Sequence, residues 1–303
     1  MKLGTSTNLF ARKRLGKTEL PYAEQMQKCY DAGFRVLDIC FCDAIRPGKE
    51  DDLAADDWEK RIASLADGAA KLGVTFTQSH APFFGNFYIY GKQPTEEFKE
   101  MFFEMTRRVI IAGEMLGVKW MTVHPIDDNI HTEFERDVIK KTNLEFYTPW
   151  VELAKKHNVG VAIENMAEFD RAKIRRYYCS DTDDLCNLVD AFADSSVGIT
   201  WDFGHAKMMI DDQCRQLRKI GKRLKATHVQ DNNGSTDSHL IPFVGGNIKW
   251  EQIMPCLKEI GYEGDFVYEC HSFMNEIPDA LRPSAARLAY EFGMYCMDMY
   301  DKA

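Results

Sequence analysis

The chain has 303 residues, 45% hydrophobic and 28% charged, which is enough apolar material for a full-sized core and too much for a disordered chain. Its net charge of −9 argues against nucleic acid and acidic membrane surfaces as partners, although RAKIRRYY (171–178) is a local basic patch. The nine cysteines are scattered, odd in number and without a CxxC spacing, so reduced core thiols are expected rather than disulfides or a zinc cluster. The opening stretch MKLGTSTNLF lacks a signal-type apolar segment, and no apolar run approaches a membrane span. A cytoplasmic protein without a membrane partner is the expectation.

In chain order, short apolar runs alternate with longer amphipathic segments. The runs read as strands at 2–7, 34–39, 74–79, 119–124, 159–164, 197–202, 224–229 and 265–269. Between them helices are expected near 20–32, 52–72, 95–117, 133–157, 181–193, 206–222, 249–261 and 279–299. Several of these helices meet a glycine just before the next strand: Gly33, Gly73, Gly117 and Gly261. Eight strand-then-helix units without a linker predict one domain over 1–303, a single (β/α)8 TIM barrel. The competing doubly wound sheet lacks its Gly-rich dinucleotide fingerprint, because LGTSTN follows the first strand position.

Catalytic side chains of such a barrel gather at the C-terminal ends of the strands. Strand three ends in His80, strand four in His124 and strand five in Glu164. Strand six ends in Asp202 with His205 just beyond, strand seven in His228 and Asp231, and strand eight in Glu269 and His271. A lone strand-end His is ordinarily hydrogen-bonded structure, and a strand-end Asp is often a helix N-cap. Six consecutive strands ending in metal-competent groups, in phase with the barrel, exceed that explanation. Glu164, Asp202, His228 and Glu269 together form an oxygen-rich set suited to one divalent cation, Mn²⁺ first, with Mg²⁺, Co²⁺ or Zn²⁺ as alternatives. Such an ion polarises a carbonyl and holds two adjacent substrate oxygens, while neighbouring carboxylates move a proton on or off carbon.

The segments SHAPF, VHP, VAIEN, WDFGHA, THVQD, DSHLIPFVGGNIKW and VYEC run through nearly the whole chain. With them the sequence resembles the xylose-isomerase-like barrel superfamily, in particular its sugar phosphate isomerase/epimerase group. The resemblance implies a single metal on Glu164, Asp202, His228 and Glu269. It also implies that Glu164 and Glu269 form the catalytic proton-shuttling pair and that His205 contacts the substrate. His80, His124 and His239 are then expected as further substrate-binding groups. In the ketose 3-epimerases an Arg stands six residues after the strand-seven His. Here that position is Gly234, and only Glu168 or Asp170 offers a loose match to the acidic contact after strand five.

The expected function is a metal-dependent isomerase or epimerase of a small sugar, sugar phosphate, keto-sugar or polyol. A keto-polyol dehydratase or glycoside-cleaving lyase would use the same metal and carboxylates, and an accessory barrel without catalysis is a further reading. The endonuclease IV type of abasic-site nuclease resembles the chain differently, through nine candidate ligands for three zinc ions: His80, His124, Glu164, Asp202, His205, His228, Asp237, His239 and Glu269. The acidic charge and the lack of Arg-rich loops at the barrel mouth weigh against it. A homo-oligomer is left open.

The remaining features read as surroundings of the site. The 230–249 loop, with Asp231, Asp237 and His239, either reaches over the metal, cradles a phosphate at the following helix N-terminus, or is a tight turn of solvated polar residues, and Gly245 and Gly246 read as turn residues. Phe41 and Arg46 are expected to form a rim or lid after strand two, and FFGNFYIYG (83–91) either lines a sugar-binding wall or makes an ordinary hairpin. His271 shares the face of Glu269 if the strand continues and is a further candidate for the site. His131 and His157 read as bystanders.

Overall fold

In the computed structural model, which describes residues 1–10, 20–42, 44, 51–82, 95–126, 135–168 and 177–303, strands and helices alternate along the chain. They are β1 (Leu3–Ser6), α1 (Tyr22–Ala32), β2 (Val36–Cys40), α2 (Trp58–Leu72), β3 (Thr75–His80), α3 (Glu96–Leu116), β4 (Trp120–Val123) and α4 (Arg136–Lys156). After them come β5 (Gly160–Glu164), α5 (Thr182–Ala191), β6 (Val197–Asp202), α6 (Phe203–Met209), α7 (Gln213–Ile220), β7 (Leu224–His228), α8 (Trp250–Glu259), β8 (Phe266–Tyr268) and α9 (Arg282–Lys302). All eight strands form one parallel sheet in the order β7-β6-β5-β4-β3-β2-β1-β8. Its edges meet where Val229 N donates to Val267 O at 2.8 Å and Glu269 N to Val229 O at 3.0 Å, closing a (β/α)8 barrel. Residues 11–19, 43, 45–50, 83–94, 127–134 and 169–176 lie outside the described residues, and with them Arg46, the aromatic 83–91 stretch, His131, Asp170 and most of RAKIRRYY.

Side chains alternate across each strand, so a residue that meets a non-adjacent strand must point into the barrel. Thr122 of β4 meets Thr200 of β6, Oγ1 to Oγ1, at 2.8 Å. Asp38 of β2 lies 3.4 Å from His228 of β7. The period of two then places Ala162 and Glu164 inside with Thr200, Asp202, Ala226 and His228, while Ile163, Ile199 and Trp201 face the helix layer. That layer is apolar and densely packed: Phe203, Trp250 and Phe266 stack edge to face with centroids 5.4 and 5.7 Å apart around Trp250. Eight of the nine cysteines are buried. No helix among the described residues is long and apolar enough to cross a membrane.

One predicted helix is two. Over 206–222 the chain breaks at Ile210, whose backbone is extended, and restarts at α7, where the Asp212 carboxylate accepts the Arg215 N–H at 2.9 Å. An Asp that can cap a new helix competes with continuing the old one, and here the cap wins.

Candidate metal centre

Asp202 ends β6 and begins α6, and its two carboxylate oxygens do different jobs. Oδ1 accepts the His205 N–H at 2.6 Å as an N-cap. Oδ2 is buried and has no hydrogen-bond partner among the described residues. The capping explanation of a strand-end Asp therefore holds for one oxygen and leaves the other for a ligand. Asn165, next to Glu164, fixes this corner: its side chain accepts the Asp202 N–H at 2.7 Å and donates to Asp202 O at 3.0 Å.

At Asp202 the strand ends converge. Glu164, Asp202, His228 and Glu269 each offer one donor atom, and the four atoms all lie within 4.8 Å of one another. His228 Nδ1 is 2.8 Å from Glu164 Oε1 and 3.4 Å from Glu269 Oε2. His124 Nε2 sits 2.9 Å from Glu164 Oε2, and His80 Nε2 is 3.6 Å from the same oxygen. The His80 ring lies nearly parallel to that of His228, centroids 5.4 Å apart.

A second group continues outward. His205 Nε2 is 3.5 Å and His239 Nε2 2.9 Å from Asp237 Oδ2. Gln230 joins the groups, donating to Asp202 Oδ1 at 3.3 Å and to Asp237 Oδ1. Gly204 is required beneath it, because a Cβ there would come within 2.0 Å of the Gln230 side chain. His239 has a left-handed backbone (φ 46), held where Leu240 and Asp231 exchange backbone hydrogen bonds.

The electrostatics follow from burying carboxylates and imidazoles together. Burial opposes charging His228, but Glu164 and Glu269 outweigh it and hold the ring's pKa well above its ordinary value. Burial likewise opposes ionising Glu164, yet His228 and His124 hold it well below the usual carboxylate range. Burial pushes Asp202 up to about 7 against the pull of His205. His239 rises to about 9 because Asp237 outweighs its desolvation, and His80 to about 9 because Glu164 does the same. For His124 burial wins and the pKa falls. Protons on imidazoles thus balance the buried carboxylates, a balance a divalent cation can take over by displacing them. Three carboxylates and one imidazole with a free carboxylate oxygen fit such an ion.

All the strand-end residues singled out from sequence except Asp231 come together here. Asp231 is turned aside: its carboxylate accepts Trp250 Nε1 at 2.8 Å, Asn232 N at 2.8 Å and Ile248 N at 3.1 Å, tying the 230–249 loop to α8. Gly246 packs against it, where a Cβ would come within 2.0 Å of Asp231 Oδ1. Strand eight stops at Tyr268, so His271 does not share a strand face with Glu269, yet its ring lies 3.9 Å from that of His239. Phe41 is not a rim residue; it is buried edge to face against Tyr22, with centroids 5.4 Å apart. His157 pairs with Glu114 at 2.6 Å on the helical surface. Gln230, Asn165 and Asp38 escaped the sequence reading. Only Asp38 carried a signal, a charged residue inside the apolar run VLDIC.

The sequence model of the Xylose isomerase-like TIM barrel family matches residues 26–290. The chain belongs to that family. An uncharacterized protein of Methanocaldococcus jannaschii, MJ1311, is 27% identical over 188 residues, 61% of each chain, so the match spans under two thirds of that relative. D-psicose 3-epimerase of Enterocloster bolteae is 23% identical over 252 residues, 82% of this chain and 76% of that protein. Among solved structures, a D-tagatose 3-epimerase-like protein superposes with a TM-score of 0.74 at 22% identity, covering 100% of this chain and 99% of the other.

Proposed function

We propose that this chain is a single-domain, divalent-metal-dependent isomerase or epimerase of a small sugar or sugar derivative. The observation that carries the reading is the convergence of donor atoms of Glu164, Asp202, His228 and Glu269 within 4.8 Å of one another, with Asp202 Oδ2 left without a hydrogen-bond partner among the described residues. The similarity to D-psicose 3-epimerase supports the substrate class. Bound on these four residues, a Mn²⁺-like ion would supply Lewis acidity, making the hydrogen beside a substrate carbonyl more acidic.

The protein's own groups do the rest. Glu164 and Glu269 approach His228 Nδ1 from the C-terminal ends of β5 and β8, so one takes the proton from the carbon beside the carbonyl and the other returns one. Delivery to the opposite face of that carbon inverts it; delivery to the former carbonyl carbon moves the carbonyl. His205 donates Nδ1–H to Asn165 O at 2.9 Å, which turns Nε2 toward Asp237 and the space where substrate oxygens would lie. His80, His124 and His239 border the same space and contact the substrate's polar groups. Lysis of a β-leaving group would begin with the same proton removal.

Incubation with free and phosphorylated ketoses in deuterated water tests this. Incorporation of one deuterium beside the carbonyl, dependent on added metal and lost in Glu164→Gln and Glu269→Gln, is expected. Full turnover in those variants would remove the proton-transfer roles.

One observation favours a second reading, a zinc nuclease. Besides the four-residue centre, His80–His124–Glu164 and His205–Asp237–His239 each bring donor atoms within 4.8 Å. Elemental analysis separates the two: one ion per chain supports the isomerase, whereas three zinc ions together with cleavage of abasic-site DNA support the nuclease.

A further inference from the structure

Asp38 sits in the middle of β2, only 1% exposed, and none of the roles above uses it. Its Oδ1 has no hydrogen-bond partner among the described residues, and its Oδ2 accepts only a long contact from Gln78 Nε2 at 3.4 Å. Gln78 is held in turn by the β7 backbone, donating to Thr227 O at 3.2 Å and accepting Thr227 N–H at 3.4 Å. A buried carboxylate so thinly supported needs a cationic or strongly donating partner. The group in reach is His228, whose Nε2 lies 3.4 Å from Asp38 Oδ2 and has no hydrogen-bond partner among the described residues.

The opposite edge of that ring faces the centre, with Nδ1 2.8 Å from Glu164 and 3.4 Å from Glu269. An imidazole that gives one nitrogen to a metal must keep its proton on the other, and whatever accepts that proton fixes both tautomer and ring orientation. We propose that Asp38 is the positioning residue of the centre, accepting Nε2–H of His228 so that Nδ1 presents its lone pair to the cation. This rests on the metal-dependent reading above. His80, its ring 14° from parallel with His228, guards the ring's face, while Asp38 sets which edge points at the ligand space.

The test is titration of the metal-free protein with Mn²⁺ by calorimetry, alongside its metal-free melting temperature. Asp38→Ala should weaken Mn²⁺ binding about 10–100-fold. Asp38→Asn, which keeps the volume and an acceptor oxygen but loses the charge, should fall between. Metal-free melting should change little in Asp38→Asn, whereas a merely structural role would lower melting and leave the affinity of the folded protein intact. Binding within about twofold of wild type in both variants would overturn the positioning role while leaving the metal centre standing. No Mn²⁺ binding by the wild-type protein would overturn both.

Discussion

The two ends of this barrel solve opposite problems with the same alternating strands. At the N-terminal face the ionic groups stay at the surface in simple pairs, such as Arg223 with Asp190 at 2.6 and 2.7 Å and Lys155 with Asp194 at 2.7 Å. Small residues there let the layers close: Gly160 lies under the Trp120 ring, where a Cβ would come within 2.3 Å. At the C-terminal mouth the ionic groups are buried and share partners, and Asp202 Oδ2 is left with none among the described residues. One end minimises the cost of burying charge; the other accepts it, the division expected between a stabilising and a reactive barrel face.

Variants that exchange the two logics should sort cleanly. The largest effect is expected for Glu164→Gln and Glu269→Gln, which should lower turnover per folded molecule by about 10²–10⁴. A loss no greater than that of a surface variant would break the contrast. Next, Asp202→Asn keeps the N-cap, since Asn caps as well as Asp, but removes the ligand charge. Metal at 100-fold excess over its dissociation constant should stabilise the wild-type protein by about 2.7 kcal/mol in thermal unfolding and leave this variant nearly unmoved, and chelator should reverse the gain. At the other end, Gly160→Ala should cost about 1–3 kcal/mol of stability in denaturant titration through overpacking on Trp120, with Mn²⁺ affinity unchanged. The smallest effect belongs to His157→Ala, a histidine paired with Glu114 far from the mouth, which should leave both metal affinity and turnover unaltered in the same assays.

The same contrast explains what was legible in the sequence. Strand β6 runs Val197–Asp202, the span its apolar pattern predicts, and every predicted strand is present, because parallel strands buried on both faces read as short apolar runs between turn signals. The cluster of possible ligands at the strand ends was legible too, because a parallel barrel puts consecutive strand ends side by side. The missed groups hold positions that pattern does not mark. Asn165 and Gln230 are neutral amides whose role arises only when β5, β6 and β7 meet. Asp38 lies mid-strand, away from the ends where chemistry is sought. Asp231 has the right residue type in the right place, and the indole N–H of Trp250, nineteen residues later, turns it away. Phe41 was expected at the rim because its neighbours are charged, whereas its own ring buries against Tyr22.

The closing seam between β7 and β8 gives the site a further property. His228 stands on one side of it and Glu269 on the other, and the strands are joined by the backbone exchange at Val229. Strand β8 also pairs with β1 at the other end of the chain, so the barrel is zipped shut only when that long-range pairing is made as well as the seam. A cation held from both sides would act as a clasp on that zip. It should slow unfolding while leaving the refolding rate nearly unchanged, so the lifetime of the closed barrel becomes a readout of occupancy that needs no substrate.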